Sequence, residues 1–135
     1  MRSARLDDIR AVEGHGLDVD AAWKPVRHHL GIEAFGMNAY VAEREGEVVI
    51  EEHDESDCDH QELYFVARGR AEFGVGGQTL DAPAGTFVFY DDPGETRRAV
   101  AREPGTAVIA VGAPKGAAFS PSEWETRRTS ELPRA

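Results

Sequence analysis

Residues 53–69 read HDESDCDHQELYFVARG. Two His-x-Glu pairs stand in this stretch, His53–Glu55 and His60–Glu62, and the second leads into an apolar run that stops at Gly69. Side chains two positions apart share one face of a strand. Each pair therefore presents an imidazole and a carboxylate on one side, a combination suited to a divalent ion. The alternative is a solvated acidic loop carrying two incidental histidines. Asp57 and Cys58 are further candidate ligands, although neighbouring acids hold a lone thiol in its protonated form. By the same parity, an inward Glu62 brings Tyr64 and Val66 inward and turns Leu63 and Phe65 away. An inward His53 brings Val49 with it, and Glu51 shares that parity.

Working outward, the flanking sequence is a succession of short strands. Residues 37–42 and 47–53 read as strands joined at Glu45-Gly46, and 62–68 and 70–75 flank Gly69. Gly76-Gly77 is a hairpin signal before Gln78-Thr79-Leu80. Residues 86–90, 97–101 and 106–111 complete the set, separated by Asp- and Pro-Gly-containing turns. Short strands at even spacing with turn signals between them indicate an all-β sandwich or barrel. The organisation expected is an N-terminal segment (1–35) packing on the barrel, the barrel itself (36–112) and a C-terminal tail (113–135). Short helices are expected near Leu6–Val12, with Asp7 and Asp8 in a first turn, and over Ala21–Leu30, where Pro25 weakens the pattern. Trp124 is expected to pin part of the tail to the barrel.

The totals narrow the function classes. The chain has 135 residues, enough for one domain with one core. Its 25 acidic and 15 basic side chains give a formal charge of −10, which repels nucleic-acid phosphates and anionic membrane surfaces alike. A single cysteine forms no internal disulfide. With no leader pattern and no apolar run of spanning length, a cytoplasmic location is expected.

The strand pattern and the 53–69 motif resemble the cupin superfamily, small double-stranded β-helix (jelly-roll) barrels, over roughly residues 36–112. The first cupin motif is a His-x-His pair, a short gap, a Glu and then, at a fixed distance, a Gly. Glu62 and Gly69 match its end, and His53-Asp54-Glu55 matches its start with Glu in place of the second His. The gap is longer than usual and contains His60. The second motif opens at Gly85; Asp91-Asp92-Pro93 stands where Pro-x-Gly is expected, and the metal-binding His falls on Thr96, or on Arg97 after a one-residue slip. No histidine follows His60.

The resemblance implies a pocket inside the barrel. It makes His53, Glu55 and Glu62 the remaining metal candidates, with His60 as a possible replacement ligand. The cofactor is left open between none and a divalent zinc, iron, manganese or nickel ion. Without a metal, the resemblance places Glu62 among apolar side chains, where desolvation would raise its pKa towards general acid–base use beside His53. Glu62 and His53 are then the candidate catalytic pair. The chemistry implied is isomerisation, epimerisation, dehydration or ring closure of a small molecule. The alternatives are a non-catalytic module that binds or senses a ligand, and, with less support, a metal-dependent dioxygenase.

Tyr64, Thr96 and Arg98 are the candidate substrate-binding residues, Thr96 and Arg98 because they share the parity of the missing histidine. Only one of Arg97 and Arg98 can face inward, and a rim position for both, paired with acids such as Asp91 and Asp92, is the favoured expectation. Tyr40, Phe87, Phe89 and Tyr90 read as core. Because both faces of the 86–90 strand are apolar, a homodimer is expected to cover one of them. His28-His29 reads as a surface or helix-end pair.

Overall fold

The structure, a computed structural model, describes all 135 residues. Nine strands form two antiparallel sheets: β1 (Ala22–Lys24), β2 (Gly36–Val41), β3 (Val48–His53), β4 (His60–Arg68), β5 (Arg70–Val75), β6 (Gln78–Pro83), β7 (Phe87–Tyr90), β8 (Arg97–Ala101) and β9 (Ala107–Pro114). One sheet runs β1-β2-β9-β4-β7 and the other β3-β8-β5-β6. The chain thus has the expected all-β, double-stranded β-helix architecture. No helix is long and apolar enough to cross a membrane.

Alternation along the strands builds the core. Tyr64 and Val66 of β4 are buried, as are Ala71 and Phe73 of β5 and Ala99 and Ala101 of β8. Size is matched across the ladder: Phe73 lies opposite Ala99, and Ala71 opposite both Ala101 and Ala82. Small residues on the neighbouring strands leave room for the aromatic rings between the sheets. The turn after Arg68 has a steric requirement for its glycine. Gly69 has φ of +70°, and a Cβ there would run into Thr106, whose Cα would lie only 2.9 Å away.

Two elements escaped the sequence reading. Ala22–Lys24 is a strand, not the start of a helix, and pairs with β2. Pro25 then acts as N-cap of a five-residue helix, α1 (Val26–Leu30), which Gly31 ends in the left-handed conformation. The tail contains α2 (Glu123–Thr129), capped by Ser122, whose side chain accepts from the Glu125 amide at 3.1 Å. Glu123 and Glu125 occupy its first turn and Arg127 and Arg128 its last, the charge order favoured by the helix dipole. The N-terminal helix is only a single 3₁₀ turn, Leu6–Asp8.

Both terminal segments fold back on the barrel. Ile9 and Val26 pack with Ala39, Met37 and Ile109 on the outer face of the first sheet. Trp23 is fully buried and stacks on Trp124 at 4.9 Å between ring centroids. The Arg27 guanidinium donates to Glu125 at 2.7 Å. His28 and His29 stand in the last turn of α1, the helix-end placement expected, but His28 is buried and bonded through Nε2 to the Leu132 carbonyl at 3.0 Å. Phe87 and Phe89 are not core residues. They are 65% and 58% exposed on β7, an edge strand, while Val88 and Tyr90 carry the inward face.

Candidate functional site

One end of the barrel opens into a cavity of about 430 Å³. Its walls include His53 from the end of β3, His60, Glu62 and Tyr64 from β4, and Glu55 and Cys58 from the turn between them. Period two on β4 sends His60, Glu62 and Tyr64 to one side, as the sequence indicated. His60 is the first residue of β4 and not part of the loop. Asp59, the only non-glycine residue with positive φ (56°), makes the turn that returns the chain into the strand. The Glu55 amide donates to the Pro93 carbonyl at 2.7 Å, which fixes the turn to the β7–β8 loop. The opposite wall comes from Asn38 and Tyr40 of β2 and from the tail, through Phe119, Trp124 and Glu125.

Behind the cavity wall, against Glu62, lies Arg97. Its side chain has no solvent exposure. Nη1 donates to Glu62 Oε2 at 3.0 Å, Nε to the Glu95 carbonyl at 3.1 Å, and Nη2 to the carbonyls of Glu95, Asp92 and Pro93 at 2.8–3.3 Å. The guanidinium also lies 4.8 Å from the centre of the Tyr90 ring. A buried arginine is tolerable only when its donors are met and a counter-charge is close, and both conditions hold here.

The expectation for this strand is therefore corrected. Residue 97 sits opposite His53 in the β3–β8 ladder, and Arg97, Ala99 and Ala101 form the inward face. Thr96 and Arg98, expected to face the substrate, are exposed, and Arg97 is not at the rim.

Around Glu62 the contacts converge on one oxygen. Oε2 accepts from Arg97, from the Tyr64 hydroxyl, and lies 3.6 Å from His53 Nε2. His53 Nε2 lies 3.1 Å from Glu55 Oε1, and Nδ1 is bonded to the Glu51 carbonyl at 2.8 Å. Burial alone would lower the His53 pKa, but the paired carboxylates of Glu55 and Glu62 and the Glu51 carbonyl outweigh it and push the imidazole up to about 10. Burial alone would raise the Glu62 pKa, yet His53, Tyr64 and Arg97 together hold it below the usual carboxylate range. This reverses the direction expected from desolvation in an apolar barrel. Burial and the Glu55 carboxylate push the Cys58 thiol up to about 12, so it is no nucleophile at neutral pH. Cys58 Sγ lies 2.6 Å from Glu55 Oε2, and His60 Nδ1 3.9 Å from the same oxygen.

The sequence-derived metal candidates are thus brought together. Ligand atoms of His53, Glu55 and Glu62, and separately those of Glu55, Cys58 and His60, lie within 4.8 Å of one another. The first group does not fit the ion that the barrel family implies. A permanent cation lies at hydrogen-bond distance from its Glu62 oxygen, and only one of its three members is an imidazole. An ion there would be repelled by the guanidinium and would compete with it for the same carboxylate.

The architecture has close counterparts among solved structures. A cupin protein from Bacteroides fragilis superimposes with a TM-score of 0.60 at 12% identity, covering 78% of this chain and 86% of that one. An uncharacterized conserved protein with a double-stranded β-helix domain from Klebsiella pneumoniae gives 0.62 at 21% identity, covering 91% and 98%. A predicted oxalate decarboxylase from Thermotoga maritima gives 0.60 at 17% identity, covering 84% and 99%. No family model matches the sequence, and no curated protein matches it. The chain has the cupin fold.

Proposed function

We propose that this cupin barrel binds a small organic molecule and moves protons on it without redox chemistry, as in isomerisation, epimerisation, dehydration or ring closure. The observation that carries this reading is the placement of His53. Its Nδ1 is tethered to the Glu51 carbonyl, and its Nε2 stands between Glu55 Oε1 and Glu62 Oε2 on the wall of a cavity large enough for a small metabolite. A charged imidazole fixed in this way is a proton donor; after donation, it is a base of matched geometry. Glu62 anchors that charge, and Arg97 anchors Glu62. Because the named contacts of Glu62 all run to Oε2, its second oxygen is left for a ligand. Similarity to a predicted oxalate decarboxylase supports small-molecule chemistry on this barrel.

The test is hydrogen exchange in D₂O. Small hydroxyketones and aminoketones are incubated with the protein, and deuterium uptake beside the carbonyl is followed by proton NMR. The wild type is expected to catalyse uptake into at least one ketone that binds the cavity, and His53→Gln to lower the rate by roughly 10²–10⁴-fold. Exchange insensitive to His53→Gln contradicts the assignment.

A second reading, a non-catalytic binding module, is favoured by the tight pairing of Glu62 with Arg97; it is supported instead if ketones bind and no exchange follows. A dioxygenase fits less well, because Arg97 stands where an oxygen-activating iron would need another imidazole.

A further inference from the structure

The cations at this cavity are already committed. Arg97 directs every nitrogen at Glu62 or a main-chain carbonyl. Arg27, behind the tail wall, is bound to Glu125 and to the Ile32 carbonyl. His53 is held by the Glu51 carbonyl and Glu55. The acceptors, by contrast, are in surplus. Besides Glu62 and Glu125, the cavity is lined by Glu51, whose side chain accepts only the Asp18 amide at 3.0 Å, and by Glu55, which has His53 and a thiol for company. Asn38 Oδ1, on the same wall, is buried without any hydrogen-bond partner. Aromatic side chains complete the lining, from Tyr40, Phe119 and Trp124, the last stacked on Trp23 and covered by the Arg128 guanidinium at 4.3 Å.

An anion entering this space meets no uncommitted arginine or lysine; the remaining imidazole, His60, already faces Glu55 at 3.9 Å, and the surrounding carboxylates repel the anion in a medium of reduced dielectric. A protonated amine gains charge-assisted hydrogen bonds to Glu55 and Glu51, and the Tyr40 ring of the same wall for its positive charge. We propose that the ligand of this cavity is a small organic cation, an amine with an apolar or hydroxylated body, and not a carboxylate or phosphate ester. The site then differs in substrate charge from an oxalate decarboxylase, whose substrate is a dianion. The inference rests on reading the cavity as a ligand site; it does not depend on whether that ligand is turned over.

Three probes of one shape separate the outcomes: benzylamine, benzyl alcohol and benzoate. They are titrated into the chelator-treated protein at neutral pH, with amide shifts followed by two-dimensional NMR. Benzylammonium is expected to shift residues around Glu55, Tyr40 and Trp124 and to bind at least about tenfold more tightly than benzoate. Glu51→Gln combined with Glu55→Gln is expected to remove most of that preference while leaving benzyl alcohol binding within about twofold. Benzoate binding as tightly as benzylamine, or a preference that survives the double substitution, overturns the inference while the ligand site stands. Absence of cavity shifts with all three probes overturns both.

Discussion

Replacing Arg97 by methionine is expected to cost roughly 3–5 kcal/mol of folding stability, the range for removing one partner of a buried ion pair. The substitution keeps most of the volume but removes the cation from beside Glu62, whose side chain is only 14% exposed. It also orphans the carbonyls of Asp92, Pro93 and Glu95, which converge on the guanidinium. Glu62 must then take up a proton or open the site to water. The double variant Arg97→Met with Glu62→Gln is expected to recover much of the loss, since neither member then carries an unpaired charge. Urea unfolding of the wild type, both single variants and the double variant measures this. A single-variant loss under about 1 kcal/mol, the size of an exposed pair, would place the guanidinium in solvent instead.

The second large effect is on proton binding. His53 is expected to remain an imidazolium well above its ordinary pKa of 6.5, titrating near 10. A folded-state pKa raised above the unfolded one contributes stability that is complete below about 6.5 and is lost as the pH rises through 10. Glu62 has the opposite sign. Its lowered pKa contributes stability that is present above the ordinary 4.5 and is lost as the pH falls through the folded value. The network therefore supports the fold across the neutral range and weakens at both ends. Histidine ring nitrogen NMR resolves the basic limb. Two protonated nitrogens on His53 at pH 8, moving to a neutral ring at that pH in the double variant Glu55→Gln with Glu62→Gln, is the expected result. A wild-type midpoint near 6.5 would mean that the carboxylates do not hold the charge.

Much of the fold was legible because strand parity is local. The run from Glu62 to Arg68 shows on its face which side chains are buried, and Gly69 marks the turn that no Cβ fits. Parity carries no register across a loop, however. Asp91-Asp92-Pro93-Gly94 allows either Thr96 or Arg97 to lead the inward face. Counting the motif spacing from Gly85 put Thr96, and with it Arg98, on the inward face, and only a one-residue slip put Arg97 there. What reverses that choice is the cage of main-chain carbonyls from Asp92, Pro93 and Glu95, which is tertiary and leaves no trace in the residue pattern. The wrong sign for Glu62 followed directly, since an inward carboxylate without a known cation looks merely desolvated.

The helix in the tail was different. Ser122-x-x-Glu125 is a visible capping signature, and with it the packing of Trp124 on Trp23 could have been anticipated. The exposure of Phe87 and Phe89 was masked by their hydrophobicity, because β7 lies at a sheet edge and the sequence shows two apolar faces without showing what covers them.

The central claim is that the Arg97 guanidinium, and not a metal ion, balances Glu62 beside His53. Metal content of freshly purified, untagged protein tests it most directly, measured by plasma mass spectrometry without chelators for the wild type and Arg97→His side by side. The expected result is a transition-metal content far below stoichiometric in the wild type. In Arg97→His, a second imidazole joins His53, Glu55 and Glu62, and content is expected to approach one ion per chain. A near-stoichiometric metal in the wild type, lost in His53→Ala, would contradict the claim.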